Sequence, residues 1–504
     1  MTGTVVLRGG ILVDGSGAAR RQGDVAIRGD RIVAVGRVET VSPARVIDCT
    51  GLIVTPGFID LHNHSDKGIL EPETRPHLNS LLQGCTTVVT GNCGAGPIDA
   101  AAFYAAIDAN GAGTNVAHLL PHGSLREQVI GVVNRAATSD EIQQMREAAI
   151  KAMQDGAWGM STGLIYVPGS YADTDELVAL AEVVGASGGI YASHMRDEGT
   201  NLLASVDELL EIGRRAELPV HVSHFKASGE ESWGLIRRAA EVIEQARNQG
   251  QTVTADQYPY TASSTSLAAT ILKPSDRAGG NEDLIKRLDD PTLGPQIRER
   301  IADVLSRKQD GVAIRIARYA PKPEWIGKNL HEIAETEKLT PTDLCLQILR
   351  EGEAQIVNFC MCEEDVRFGM QLPWVATASD GRTSLPGPDR PHPRYYGTFA
   401  RKIGYYSLRE NLIPLEQAIR SATGLPADII GMTDRGYLKP GQFADVVVFD
   451  PEQFMDRATF DDPHQYATGV QFVFVNGALA IAEGKPTGVL AGRALRHPQR
   501  KVVE

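Results

Sequence analysis

Between about Gly57 and Gly431 the sequence repeats one alternation: a short apolar, β-branched run, then a stretch with the apolar spacing of an amphipathic helix. Eight such runs stand out, ending near His62, Thr90, Leu120, Ser161, Ser193, Ser223, Asp256 and Ser379. Parallel strands need long crossover connections, and helical patterns over about 173–187, 201–216 and 232–249 supply them. This rhythm predicts an α/β fold, a (β/α)8 barrel of the TIM type, over residues 58–431. In such barrels the residues that do chemistry sit at the C-terminal ends of the strands.

The two ends of the chain follow a different pattern. Residues 1–57 and 432–504 carry short strand-like runs (Asp24-Val25-Ala26-Ile27, Asp445-Val446-Val447-Val448-Phe449) punctuated by turn glycines, which predicts a small β-sandwich built from both termini. Inside the barrel region, residues 263–340 break the rhythm with Pro, Gly and charge, as in Lys273-Pro274-Ser275-Asp276. That is far longer than the two to six residues of an ordinary βα loop, so it is expected to be an insertion acting as a lid, with a subdomain packed at the side as the alternative.

A 504-residue chain with 42% hydrophobic residues can bury a large core, and its net charge of −13 without a Lys/Arg block argues against nucleic-acid or anionic-membrane surfaces. A small-molecule substrate is the expectation. Met1 to Gly9 lead directly into a strand-like pattern, and no 18-residue apolar stretch follows, so the expected location is the cytoplasm. Six cysteines are too few for a disulfide scaffold in a chain of this length.

The candidate chemistry lies at or just beyond the strand ends. Gly57-Phe58-Ile59-Asp60-Leu61-His62-Asn63-His64 closes an apolar run with His-x-His, and strand geometry places two such imidazoles on one face, roughly 6–7 Å apart at the backbone. Gly91-Asn92-Cys93-Gly94 presents a glycine-flanked thiol that reads as a metal ligand, a nucleophile or an inert buried group. His194 and His224 each follow a serine at a strand end. Lys226 shares the parity of His224, whereas His221 has the opposite parity and is expected in the wall. Asp380 ends the last strand, as a proton shuttle beside an activated water or as a turn cap before Gly381. Together, thiol and imidazoles form a nitrogen and sulfur set suited to zinc.

These motifs resemble the amidohydrolase superfamily and, within it, the N-acyl-D-amino-acid deacylases (D-aminoacylases), over nearly the full chain. The segments that carry the resemblance include 56–64, Thr90-Gly-Asn-Cys-Gly94, His194-Met-Arg-Asp-Glu198, Ser223-His-x-Lys226, Tyr258-Pro-Tyr260, Ser379-Asp-Gly381 and His392-Pro-Arg394. The resemblance implies that Cys93, His194 and His224 hold a tightly bound zinc, and that His62, His64, Cys93 and Asp380 form a weaker second metal site. It also implies that Asp380 is catalytic and that Lys226, Tyr258 and Arg394 grip the substrate α-carboxylate. The expected activity is hydrolysis of N-acyl-D-amino acids. The rivals are another linear or cyclic amidase and a catalytically silent scaffold protein.

Overall fold

The computed structural model describes residues 3–39 and 44–498, so residues 1–2, 40–43 and 499–504 of the expected terminal segments lie outside the described residues. The middle of the chain is built on parallel strands. Phe58–Asp60, Cys85–Thr90 and Asn115–His118 pair in one sheet. Leu120–Pro121, Gly159–Gly163, Ile190–His194, Val220–Val222, Val253–Gln257 and Val375–Thr377 pair in a second. Only Leu119 separates Asn115–His118 from Leu120–Pro121, so one pass of chain belongs to both sheets. At the other margin, a parallel bridge joins Asn63 to Gly381, and the Asp380 amide donates to the His62 carbonyl at 2.8 Å.

The crossovers form for local reasons. Thr174–Ala186 starts at Asp173, whose carboxylate accepts from the Glu176 amide, and carries Asp175 and Glu176 in its first turn, where the helix dipole favours acids. Leu235–Asn248 buries Ile236, Ala239, Ala240 and Ile243, one helical face at i, i+3, i+4 and i+7. These faces and the strands share one core that includes Val88, Val116, Met160, Leu177, Leu180, Val220, Ile243 and Val253.

The terminal strands join in one nine-stranded sheet. Thr4–Leu12 pairs antiparallel with Arg21–Arg28 on one side and parallel on the other with Ala44–Asp48 along its first half, then with Ile53–Pro56 along its second. The sheet therefore forks at this strand. Ile53–Pro56 pairs onward with Val446–Phe449, which pairs with Val470–Val475, so strands from both ends interleave. Val446 and Val448 pack within this terminal unit, while Val447 and Phe449 pack with Phe58, Phe399 and Ile403 of the middle region. Each such buried side chain contributes roughly 1.5–3 kcal/mol, so both faces of one strand tie the two regions together.

The expected insertion at 263–340 is part of a longer excursion. Ala262–Ser266, Ile314–Arg318 and Gln355–Phe359 form an antiparallel sheet, and helices including Asn281–Asp289, Leu293–Ser306, Leu330–Glu337 and Pro341–Glu351 pack on it. Its own core contains Leu267, Ile301, Trp325, Ile348 and Ile356. Gln355–Phe359 is the central strand of that sheet, paired with both others, which is why the unit runs past residue 340. Among the described residues no helix is long and apolar enough to cross a membrane.

Candidate metal and active site

His64, Cys93, His194, His224, Lys226, Tyr258, Asp380 and Arg394 all line one cavity of about 700 Å³ at the ends of the parallel strands, with His62 buried directly behind. The excursion contributes a polar wall that includes Ser264, Ser266, Gln355 and Asn358.

The reasons for this convergence differ in part from simple strand alternation. The first strand ends at Asp60, the one before His224 at Val222 and the last at Thr377, so His62, His64, His224 and Asp380 sit on irregular chain beyond strand ends. Cys93, His224 and Asp380 have φ of 52°, 37° and 48°, a left-handed region that costs a non-glycine residue of order 1–3 kcal/mol. Surrounding hydrogen bonds offset that cost. Asp60 accepts from the Ser379 amide at 2.8 Å and from Asn63 Nδ2 at 2.9 Å, fastening the end of the first strand to the end of the last. The Asp256 carboxylate accepts from the His224 amide at 2.7 Å. Around Cys93, Asp66 accepts from the Gly91 amide at 2.7 Å and Ser161 Oγ from the Gly94 amide at 3.0 Å. Gly91 has φ +76°, and a Cβ there would stand 2.1 Å from the Leu119 carbonyl, so the turn that presents the thiol requires glycine.

Cys93 Sγ lies 3.3 Å from His62 Nε2 and 3.7 Å from both His194 Nδ1 and His224 Nε2. Asp380 Oδ1 lies 3.2 Å from His64 Nε2 and 3.7 Å from His62 Nε2. Among the described residues, three sets have all donor atoms within 4.8 Å of one another: His62, Cys93 and His224; His62, His64 and Asp380; His194, Glu198 and His224. Zinc ligands about 2.0–2.3 Å from a tetrahedral ion stand about 3.4–3.8 Å apart, close to the spacings around Cys93. A thiolate with imidazoles is also a donor set that zinc favours.

Electrostatics point the same way. Burial alone would push the Cys93 thiol up, but the His62 charge and hydrogen bonds with His194, His224 and His62 hold it well below its ordinary value. Burial opposes a charged His64, yet hydrogen bonds with Asp380 and Cys93 raise its pKa to about 9. His194 is lowered, because burial disfavours its imidazolium. The protons held on this cluster are those that a dication would displace on binding.

Next to the cluster stands a group of cationic and phenolic donors. Arg394 Nη1 forms an ion pair with Asp380 Oδ2 at 2.8 Å, and its guanidinium lies 4.6 Å from the Tyr258 ring centre. Lys226 Nζ lies 6.0 Å from that same ring centre. The Tyr258 hydroxyl and Arg394 Nε are buried with no hydrogen-bond partner among the described residues.

Sequence reasoning assigned no role to Glu198 or Asp256. Asp256 Oδ2 accepts from His221 Nε2 at 2.8 Å and lies 3.5 Å from His62 Nδ1, so it orients a cluster histidine from behind. His221 is in the wall, held by Asp256 and Thr254. Glu198 lies four residues after His194, and Asp256 ends an expected strand, so position alone was the available signal.

The geometry defines a metallohydrolase-type centre, and the comparisons agree with that class. The chain matches the amidohydrolase family over residues 45–298 and 372–481. It belongs to the amidohydrolase family and, within it, to the D-aminoacylase group. It is 36% identical to the D-aminoacylase of Alcaligenes xylosoxydans xylosoxydans, covering 97% of each chain, and 35% identical to the N-acyl-D-glutamate deacylase of the same organism, covering 98% of this chain and 96% of that one. The solved structure of the Bordetella bronchiseptica N-acyl-D-glutamate deacylase, complexed with zinc and a phosphonate that mimics the tetrahedral intermediate, is similar at a TM-score of 0.83. It is 35% identical, over 98% of this chain and 99% of that one.

Proposed function

We propose that this protein hydrolyses the amide bond of N-acyl-D-amino acids, releasing a carboxylate and the free D-amino acid, in a zinc-dependent reaction. Cys93, His194 and His224 hold the tight zinc, and His62, His64, Cys93 and Asp380 form the weaker second site. The parallel strands close as a (β/α)8 barrel over residues 58–431, and the terminal segments 1–57 and 432–504 fold over as a β-sandwich, with the forked sheet as its seam. The excursion, expected at 263–340, covers the mouth.

Bound zinc supplies a Lewis acid for the scissile carbonyl and lowers the pKa of a water to about 7. Asp380 accepts the proton of the attacking water and passes it to the leaving nitrogen. Lys226, Tyr258 and Arg394 fix the α-carboxylate, which sets the position of the amide relative to the cysteine and histidine cluster.

The observation that carries this reading is the pair of buried, unpartnered donors, the Tyr258 hydroxyl and Arg394 Nε, in the same cavity as the Cys93 cluster. An unpaired buried donor costs about 1–3 kcal/mol, which a substrate carboxylate would relieve. Tyr258→Phe removes that hydroxyl and little else. Its kcat/KM for an N-acetyl-D-amino acid should fall by about 10-fold to 10²-fold, while hydrolysis of the corresponding carboxylate-free amide, slow in both proteins, should hardly change. Equal losses on both substrates would show that the hydroxyl does not serve the carboxylate.

A further inference from the structure

His224 faces two competing partners through one nitrogen. Its Nδ1 lies 2.8 Å from Glu198 Oε1 and 2.7 Å from Lys226 Nζ. Lys226 Nζ donates to the same Glu198 oxygen at 2.6 Å. The opposite ring nitrogen, Nε2, points at Cys93 Sγ from 3.7 Å. All three residues are largely buried, with side-chain exposures of 2% for His224, 12% for Glu198 and 5% for Lys226, so water does not readily substitute for a lost partner.

A neutral imidazole carries one proton, and the hydrogen bond made by one nitrogen decides what the other can do. With the proton on Nδ1, the ring donates to Glu198 and Nε2 keeps a free lone pair toward Cys93. With the proton on Nε2, Nδ1 accepts from the Lys226 ammonium instead, and Nε2 presents N–H to the cluster, where it can ligate nothing. Glu198 favours the first tautomer and Lys226 the second. The carboxylate also draws the ammonium onto its own oxygen, which weakens the competitor.

We propose that Glu198 is a positioning residue that fixes His224 in the tautomer whose Nε2 lone pair faces the cluster, against the pull of Lys226. This rests on the reading that Cys93, His194 and His224 hold zinc. The effect falls on His224, because Glu198 Oε2 is 3.7 Å from His194 Nε2, beyond hydrogen-bond range. Direct ligation of a dication by Glu198 Oε1 is opposed by the Lys226 ammonium already seated on that oxygen. Lys226 is thereby held between two tasks, a donor for the substrate carboxylate and a threat to a metal ligand, and Glu198 reconciles them.

The test is zinc affinity of the full chain, measured by competition with a chromophoric chelator, together with the thiolate-to-metal absorption of the cobalt-substituted protein. Glu198→Leu should weaken zinc by about 10-fold to 100-fold, the usual worth of an outer partner of a metal-binding histidine. Adding Lys226→Met, which removes the competing donor, should restore affinity and the cobalt spectrum to near wild type. If Glu198→Leu folds poorly, the same comparison is made with Glu198→Gln, which keeps an acceptor but loses the charge and should show a smaller loss, again rescued by Lys226→Met. A merely structural role predicts no rescue, and a double variant as weak as the single one would overturn the proposal, as would undiminished zinc affinity in Glu198→Leu. A wild-type protein that binds no zinc would instead overturn the reading beneath it.

Discussion

Asp380→Asn should lower kcat for an N-acetyl-D-amino acid by about 10²-fold to 10⁴-fold while leaving the tightly bound zinc in place. The expectation follows from where the carboxylate sits: Oδ1 faces His64 and His62, and Oδ2 faces Arg394, so the group stands between the cysteine and histidine cluster and the Arg394 guanidinium. The three residues assigned to the tight metal lie elsewhere, on Cys93, His194 and His224, and asparagine preserves the shape of the site without a basic oxygen. In the free protein burial tends to raise the Asp380 pKa, but Arg394, His62 and His64 hold it well below the ordinary carboxylate value. In the proposed reaction, a substrate carboxylate sharing Arg394 would relieve part of that pull and make Asp380 a better base. Metal analysis of the same preparation separates the cases: near-wild-type turnover would move proton transfer to another group, and loss of all zinc would make Asp380 a structural ligand first.

Cys93→Ala should lose most of the zinc and, with it, nearly all hydrolysis. Wild-type protein should carry between about one and two zinc per chain, because the thiolate belongs to both proposed sites. Removing a direct ligand should cost more than the ~10-fold to 100-fold that outer partners are worth. It also removes the sulfur to which three imidazoles converge within 3.3–3.7 Å, leaving them to repel one another when protonated. Elemental analysis after equilibrium dialysis measures this. Equal zinc in wild type and Cys93→Ala would reject the thiol as a ligand and revive its reading as a nucleophile or an inert group.

The strand rhythm of the middle region was legible because each parallel strand is buried and most carry β-branched or apolar residues. The expected strand ends fall within a few residues of those seen, as at Thr90 and Asp256. The convergence of the named side chains on one cavity was legible too, but partly for the wrong physical reason. His224 and Lys226 do meet, at 2.7 Å, yet their strand stops at Val222, and it is the left-handed backbone at His224, not strand parity, that turns the ring toward Cys93. Glu198 and Asp256 were not legible as site residues, because the partners they hold lie far off in sequence, His224 and Lys226 for Glu198 and His224, His221 and His62 for Asp256, and any acidic residue near a strand end looks alike in sequence. Asp256, for example, serves His62, from which it is separated by most of the parallel-strand region. The end of the excursion lies beyond residue 340 for a similar reason: only the antiparallel pairing of Gln355–Phe359 with Ala262–Ser266 and Ile314–Arg318 assigns that stretch to the separate unit.

In the proposed binding mode, an α-carboxylate held by Lys226, Tyr258 and Arg394, with the amide carbonyl at the Cys93 cluster, would leave one pocket for the side chain and so accept one enantiomer. The most direct measurement is kcat/KM of the zinc-loaded protein for N-acetyl-D- and N-acetyl-L-amino acids with the same side chain, read as release of the free amino acid. The D-form should be favoured by at least about 10²-fold. Equal rates for the two enantiomers, or preference for the L-form, would rule out this binding mode.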